Sequence, residues 1–516
     1  MRGLSTTAIV LLVAAGTGLL TARPGTSTSA AQAPPRADAD IAAGEAAARI
    51  ECATCHQWPA PSVLPRSHWR DEIARMFLIR SNQPEPSGPR GTAARLVRLP
   101  AAWSSIVRYY EANAPDMLAA PERWPAPDNA LAFKLRTIAP PSGGRDAAVA
   151  NVRLIDLDGD ARLELIVTDM RHGGIYVTRP YEDGATFAEI ARLANPAHVA
   201  PIDLDADGVL DLVVGDLGRF APSDHDRGAT VWLRRRHGGG YTAMTVEQGP
   251  RVADVEAADF DSDGRLDLAV ARFGWRRTGD LAILRRANGN GDPPSFVRHT
   301  IDKRTGSIHT VPADLDGDRK PDLIVLFAQE HETVVAFLNR GGMRFEPQVL
   351  YAAPHPGWGS SGIEVVDFDN DGDLDVLMTN GDMFDDHTLK PYHGIRWLEN
   401  TGGFPFTERT LTALAGAHRA QAVDLDGDGD RDVVACALVP SDDPEARALP
   451  AIVWLEQTSA GVFERHTLKA GRPSHATLDA ADFDRDGDID IVVGNFSIGA
   501  PLGGWVEIVE NLRVKK

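Results

Sequence analysis

The sequence predicts a mainly β fold, a seven-bladed β-propeller with a small α-helical domain at its N-terminus. An acidic nine-residue loop recurs seven times, starting at Asp156, Asp203, Asp259, Asp314, Asp367, Asp424 and Asp482, at spacings of 47 to 58 residues. Each copy follows a short apolar run and precedes a β-branched one such as Ile491-Val-Val, the signature of flanking strands rather than of EF-hand helices. A third strand with an aromatic-aliphatic pattern (Ala451-Ile-Val-Trp-Leu) and a fourth (Phe463-Glu-Arg-His-Thr-Leu) complete the unit. Four strands in a repeat of about 40 to 60 residues is the spacing of propeller blades.

The ends of the ring carry a further expectation. The seventh repeat has its third strand, Gly504-Trp-Val-Glu-Ile-Val-Glu510, but no fourth, whereas Phe133-Lys-Leu-Arg-Thr-Ile138 precedes the first repeat and matches the fourth-strand pattern. Residues 131–139 are therefore expected to close the last blade and spare the ring an exposed edge. Closure of this kind would set the N-terminal domain beside the junction of the first and last blades.

Taken in order, residues 1–33 are expected to be a signal peptide, with Arg2, an apolar stretch from Ala8 to Leu20 and small residues through Ala33. The stretch is too short for a membrane span, so a periplasmic or secreted protein without a membrane span after cleavage is expected. Only three cysteines occur, which excludes a disulfide scaffold.

Residues 34–114 are expected to form the helical domain. A helix-favouring run from Ala42 to Ile50 leads into Cys52-Ala-Thr-Cys55-His56, the attachment signature of c-type haem. Two thiols at this spacing add to the two porphyrin vinyl groups, and the adjacent imidazole lies over the iron. A thioredoxin-like pair would follow a strand and a zinc site would need a second Cys/His pair; neither context is present. Met76, in the helical segment His68 to Phe77, is the expected second axial ligand. Met117 and His68 are its rivals, and a core methionine is the alternative. One covalent haem c is the expected cofactor. Residues 115–130 are Pro-rich and read as a semi-rigid linker; residues 131–516 form the propeller.

Within each loop, carboxylates stand at offsets 0, 2, 4 and 8. The sets are Asp156, Asp158, Asp160 and Glu164; Asp203, Asp205, Asp207 and Asp211; Asp259, Asp261, Asp263 and Asp267; Asp314, Asp316, Asp318 and Asp322; Asp367, Asp369, Asp371 and Asp375; Asp424, Asp426, Asp428 and Asp432; and Asp482, Asp484, Asp486 and Asp490. Four carboxylates so close repel one another unless a cation neutralises them, and a hard ion that takes six to eight oxygens, calcium, suits this pattern. Up to seven Ca²⁺ are expected. The net charge of −20 supports this, because removing the 28 loop acids from 73 leaves 45 against 53 Lys and Arg. The acidity thus lies in the loops and does not mark a docking surface. Solvated Asp-rich turns without metal are the alternative. No basic patch points to nucleic acid.

Two resemblances follow from these motifs. The pattern Asp-Phe/Leu-Asp-x-Asp-Gly-x-x-Asp with its following aliphatic run resembles the FG-GAP/VCBS repeats of integrin α-subunit propellers, over about residues 130 to 516, and implies fold and calcium but no activity. It departs from the strict form where the glycine moves, as in Asp156-Leu-Asp-Gly159-Asp160. The N-terminal domain resembles class I cytochrome c, in particular the cytochrome-like leaders before repeat domains of some bacterial secreted proteins, through Cys52 to His56, Gln57-Trp58-Pro59-Ala60-Pro61, Leu64-Pro65 and Trp69.

A functional site is expected where the repeats differ from one another. Offset 13, just past the second strand, is Asp169, Asp216, Arg272, Phe327, Asn380, Ala437 and Asn495, and His198, His309, His418 and His475 stand in the approaches to first strands. Asp169, His198, Asp216, Arg272, His309, Asn380, His418, His475 and Asn495 are therefore the candidate lining of a polar funnel at the propeller mouth, where a redox partner protein or a small-molecule or carbohydrate ligand would bind. For each histidine the alternative is an ordinary hydrogen-bonded imidazole. No catalytic residue stands out. The leading expectation is a monohaem c-type cytochrome fused to a calcium-binding propeller, transferring electrons or oxidising a substrate at the mouth. A calcium-dependent carbohydrate- or protein-binding module, and a polysaccharide lyase or hydrolase, are the competing readings.

Overall fold

The computed structural model describes residues 36–86, 90–127, 132–141, 146–289, 291–440, 444–497 and 502–513; the expected signal peptide lies outside them. Seven four-stranded antiparallel sheets form a ring. The first strand of each blade is innermost: Val149–Ile155, Pro196–Ile202, Val252–Ala258, Ser307–Ala313, Ser360–Val366, Ala417–Val423 and His475–Ala481. The second strands (Glu164–Asp169 in blade 1, Asp490–Asn495 in blade 7) are buried throughout, which explains their unbroken β-branched sequences. Cores form between adjacent blades, as where Phe483 and Val492 of blade 7 pack with Val152, Leu165 and Tyr176 of blade 1.

The fourth strand of blade 7 is Phe133–Ile138, which pairs antiparallel with Val506–Asn511 from Phe133 opposite Asn511 to Ile138 opposite Val506. Ile138 is buried in the cluster with Trp505 and Val506. Ile138→Ala is expected to cost about 2–4 kcal/mol in equilibrium urea unfolding; a loss below about 1 kcal/mol would mean that this strand is not integral to the ring.

Inner strands are sheet edges, and their neighbours' side chains cap them. Glu364 Oε2 accepts from Ala422 N (2.7 Å), Gln421 Oε1 from Ala480 N (2.9 Å) and Asp479 Oδ2 from Leu154 N (2.7 Å), each across a blade boundary. These contacts satisfy backbone donors that no ladder reaches.

The N-terminal helices are α1 (Arg36–Cys52), α2 (Arg66–Arg80), α3 (Thr92–Leu96) and α4 (Ala101–Asn113). α1 and α2 both pack on α4, around Ala48, Trp69, Ile73, Ile106, Val107 and Tyr110. Gly44 permits the close α1–α4 crossing, since a Cβ there would stand 2.2 Å from Ser105 O. Trp69 stacks on Tyr110 at 3.9 Å, and the two side chains donate to Pro61 O (3.0 Å) and Pro59 O (2.8 Å), which holds the proline-rich strap after the cysteine motif.

The helical head does not sit where ring closure led us to expect. It lies on the face opposite the acidic loops, over blades 3 and 5: Glu85 pairs with Arg276 (3.2 Å), His68 lies 3.3 Å from Thr388, and Tyr392 donates to Val63 O (3.4 Å). The linker accounts for the difference. Trp124 donates to Ala413 O (3.0 Å), Arg465 pairs with Glu122 (2.7 Å) and Thr467 donates to Pro125 O (2.8 Å), so the chain crosses the outer strands of blades 5 and 6 before entering blade 7.

Candidate functional site

The acidic loops share one backbone form. Offsets 3 and 5 have positive φ in all seven, from Ala206, Ser262 and Asn370 at 60° to Gly429 at 101°. Glycine relieves strain at either position, so it can stand at offset 3 (Gly159, Gly317), at offset 5 (Gly208, Gly264) or at both (Gly427, Gly429). This is why the glycine moves between repeats.

The offset-8 acid opens each second strand and bridges loop and blade. Asp375 accepts from Phe368 N (3.2 Å) and Asn400 N (2.7 Å), and Asp432 from Leu425 N (3.1 Å) and Gln457 N (2.8 Å). Burial pushes both carboxyls up to about 6 and Asp490 up to about 8. Other loop oxygens are buried without a hydrogen-bond donor, including Asp205 Oδ1, Asp261 Oδ1, Asp314 Oδ1, Asp367 Oδ1, Asp424 Oδ1 and Asp490 Oδ2. Orphaned carboxylate oxygens converging in a fixed loop fit a hard cation.

The loops fall into two classes. In blades 1 to 4 a guanidinium reaches the offset-2 aspartate: Arg179 to Asp158 (2.9 Å), Arg234 to Asp205 (2.7 Å), Arg285 to Asp261 (3.4 Å) and Arg340 to Asp316 (2.5 Å). Offset 6 there is Arg162, Val209, Arg265 or Lys320. In blades 5 to 7 offset 6 is Asp373, Asp430 or Asp488, and Glu399, Glu456 and Glu510 stand at the register facing the offset-8 acid where blades 1 to 3 have Arg179, Arg234 and Arg285. Those glutamates turn to Arg409, His466 and Arg136 instead. The last three loops therefore carry five acids each and, among the described residues, no arginine on the offset-2 aspartate.

In the head, Cys52 ends α1 and Cys55 lies in the following turn; both are free thiols. Burial pushes the Cys52 thiol up to about 11. His56 Nδ1 lies 2.8 Å from Gln57 O; a carbonyl only accepts, so Nδ1 carries the proton and Nε2 keeps its lone pair. Arg80 at the end of α2 bonds Glu51 (2.8 Å) and Thr54 (2.9 Å). The half-buried Met76 lies one turn earlier on that face of α2. Of its rivals, Met117 is 80% exposed and His68 is committed to Arg90 and Thr388 at the junction with the propeller. Two free thiols and an imidazole Nε2 with its lone pair free fit the chemistry of covalent haem attachment.

The same junction buries charge. Lys390 pairs with Asp386 (2.9 Å), and burial together with Asp386 pushes Glu72 of α2 up to about 7 from 4.5. The folded state thus holds this proton more tightly than the unfolded one, so the contribution is complete below about 4.5 and is lost as pH rises through about 7. Glu72→Gln is expected to flatten this part of the stability profile, gaining about 1–2 kcal/mol at the alkaline end. Chemical denaturation of both proteins across that window checks it; parallel profiles would refute it.

At the mouth the offset-13 side chains serve the loops. Asp169 accepts from Ala148 N and Arg171 N (both 3.0 Å), and Asp216 from Asn195 N (2.7 Å). Arg272 pairs with Asp280 (2.7 Å), Asn380 donates to Trp358 O and Tyr392 O (both 3.1 Å), and Asn495 donates to Gly504 O (2.9 Å). The four histidines occupy three different register positions. His198 and His309 stand five residues before their loops, His418 sits at a bulge, and His475 is fully buried at the start of its strand. His198 and His309 converge on Asp254, while His475 does not join them. Sequence reasoning missed Asp254 and Glu256, although acids at inner-strand positions were a visible signal. Across the mouth itself, Phe496 of blade 7 meets Phe220 of blade 2 (6.4 Å) and Phe384 of blade 5 (5.9 Å), with Arg171 over Phe220 (5.2 Å). Loops from three blades thus roof the entrance with aromatic rings.

A family model described as FG-GAP-like repeat matches residues 156–214 and 314–378. No curated protein matches the chain. Among solved structures it is similar to BBS1N in complex with ARL6DN, soaked with lead, at 12% identity over 75% of this chain and 98% of that one, with a TM-score of 0.45. It is also similar to the V. cholerae biofilm matrix protein Bap1, at 12% identity over 74% of this chain and 91% of that one, with a TM-score of 0.40. With its seven acidic loops in seven blades, the chain is a seven-bladed β-propeller carrying FG-GAP-like repeats.

Proposed function

We propose that this protein is a calcium-stabilised, ligand-binding propeller that bears a c-type cytochrome head and passes electrons between the head and a partner or small molecule at the mouth. Cys52 and Cys55 would hold the haem, His56 would be its proximal ligand and Met76 its distal one. Bound there, haem would supply one-electron redox chemistry. The observation that carries this reading is the placement of the head on the mouth face, seated on the loops of blades 3 and 5 rather than on the calcium face. α2 joins the two parts: its C-terminal end touches the cysteine turn, and His68, Glu72 and Arg75 face the junction. The periplasm or an extracellular space fits both covalent haem attachment and calcium loading.

The test is a reduced-minus-oxidised spectrum of full-length protein exported with haem-attachment machinery present. Sharp reduced bands and a haem-staining polypeptide on a denaturing gel are expected. Colourless protein would overturn the cytochrome reading and leave a calcium-dependent binding module.

A further inference from the structure

Arg251 stands in the connection between blades 2 and 3, on the mouth face, and is 6% exposed. Its Nη1 donates to Gly274 O (3.2 Å), and its guanidinium lies over the Phe273 ring at 5.3 Å. Its Nε is buried without an acceptor, and no carboxylate pairs with it among the described residues. The other buried arginine among them, Arg396, has such a partner in Glu408 (3.1 Å). A buried charge is costly unless it is paired and hydrogen-bonded. Burial alone, with no acid to offset it, accordingly pulls the Arg251 guanidinium down to about 10 from 12.5. Its remaining Nε–Nη2 edge is the fork with which arginine takes an oxyanion through two parallel hydrogen bonds.

Two further donors belong to the loop from Phe220 to Gly228. His225 Nδ1 accepts from Arg227 N (3.1 Å), so Nε2 carries the proton, and this Nε2 is buried without an acceptor. Ser223 Oγ is likewise buried without a partner among the described residues. Asp224, between them, ties the loop to blade 3, where its Oδ1 accepts from Arg277 N (2.9 Å), Thr278 N (3.0 Å) and Thr278 Oγ1 (2.9 Å). Gly274 N donates in turn to Arg251 O (3.4 Å), so one loop of blade 3 holds both Arg251 and the loop of His225. Burial, and then Arg251 ahead of Arg219 and Arg227, keeps the His225 imidazole below its ordinary range, a neutral ring in the field of the guanidinium. Buried polar groups in folded proteins are as a rule hydrogen-bonded. Here a hydroxyl, an imidazole N–H and a guanidinium edge, all of them donors, stand together, and no acid of the chain pairs with them among the described residues.

We propose that Ser223, His225 and Arg251 bind the carboxylate group of an anionic small molecule at the propeller mouth. A carboxylate has two oxygens with about four acceptor positions, which match the two donors of the guanidinium edge and one each from imidazole and hydroxyl. Its single negative charge matches the one buried cation. The proposal names the chemical class of the mouth ligand; it rests on the ligand-binding part of the function proposed above and on neither haem nor calcium.

The experiment titrates full-length, calcium-loaded protein with propionate against chloride at constant ionic strength, and follows binding heat and Tm. A single propionate is expected to bind saturably and to raise Tm. Arg251→Met is expected to retain the circular dichroism spectrum and abolish binding, and Ser223→Ala and His225→Phe to weaken it about 10-fold each, the loss of one hydrogen bond to a charged group. If Arg251→Met does not fold, the two loop variants decide. Sulfate, tetrahedral and doubly charged, is expected to bind more weakly than propionate. A Tm raised no further by propionate than by chloride, binding undiminished in the folded variants, or tighter binding of sulfate would each overturn the proposal. A colourless protein that binds propionate would keep this site and lose the cytochrome reading, whereas a haem-bearing protein that binds none would do the reverse.

Discussion

A chelator titration is expected to strip the propeller in two stages and to end in an unfolded chain. The loops of blades 1 to 4 already have an arginine on the offset-2 aspartate, so each loses part of its need for a cation and should release calcium first. The loops of blades 5 to 7, with five acids each, should release it last. A site filled at a hundred times its dissociation constant adds about 2.7 kcal/mol of stability, so three such sites add about 8 kcal/mol. That is comparable with the whole stability of a typical domain, about 5–15 kcal/mol. Calcium content followed against chelator, with calorimetry on the same samples, should show a modest early fall in Tm and a collapse at the second stage. Asp371→Asn, Asp428→Asn and Asp486→Asn should each remove one tightly held equivalent, whereas Asp160→Asn or Asp318→Asn should remove a weak one. A melt indifferent to chelation would refute the calcium reading, and a single class of site would refute the division between blades.

Cys55→Ala is expected to weaken, and Cys52→Ala/Cys55→Ala to abolish, the haem that survives a denaturing gel. Attachment of c-type haem uses both thiols of the motif, and Cys55 is the exposed one, in the turn next to Thr54 and Arg80. Its loss removes a covalent link without touching the helical core. The propeller should melt as before, because its blades and acidic loops share no core with that turn. Met76→Ala should leave the stain intact and change the reduced spectrum instead. Covalent haem retained in Cys52→Ala/Cys55→Ala would refute the attachment proposal, and an unchanged spectrum in Met76→Ala would assign the distal position elsewhere.

What was legible in the sequence was whatever local chemistry repeats. The acidic loops were visible because left-handed backbone at two fixed offsets demands glycine or a small polar residue often enough to leave a signature. The strand of Phe133 to Ile138 was visible because a ring of four-stranded blades cannot leave one short. The head's seat was not visible, because it depends on tertiary contacts of single side chains such as Trp124 and Glu85. The histidines misled for a definable reason. His198 stands five residues before its loop, just past the bulge of its strand, whereas His418 stands six before and lies in the bulge itself, so the two, which look equivalent in their approaches, hold different register positions, and only the former reaches Asp254. The offset-13 residues varied because each solves its own loop's hydrogen bonds, aspartates accepting from N–H groups and asparagines donating to carbonyls.

The strand that closes the ring also sets the order of assembly. Lys134 and Glu510, side by side in the finished blade, are 376 residues apart in the chain. A contact of such range is slow to form, so the other six sheets can complete before the ring shuts, and blade 7 meanwhile offers an unpaired edge to any passing strand. The linker shortens that exposure: by lying across blades 5 and 6 it keeps the closing strand near its slot, and so acts as a tether that guides the last step of folding.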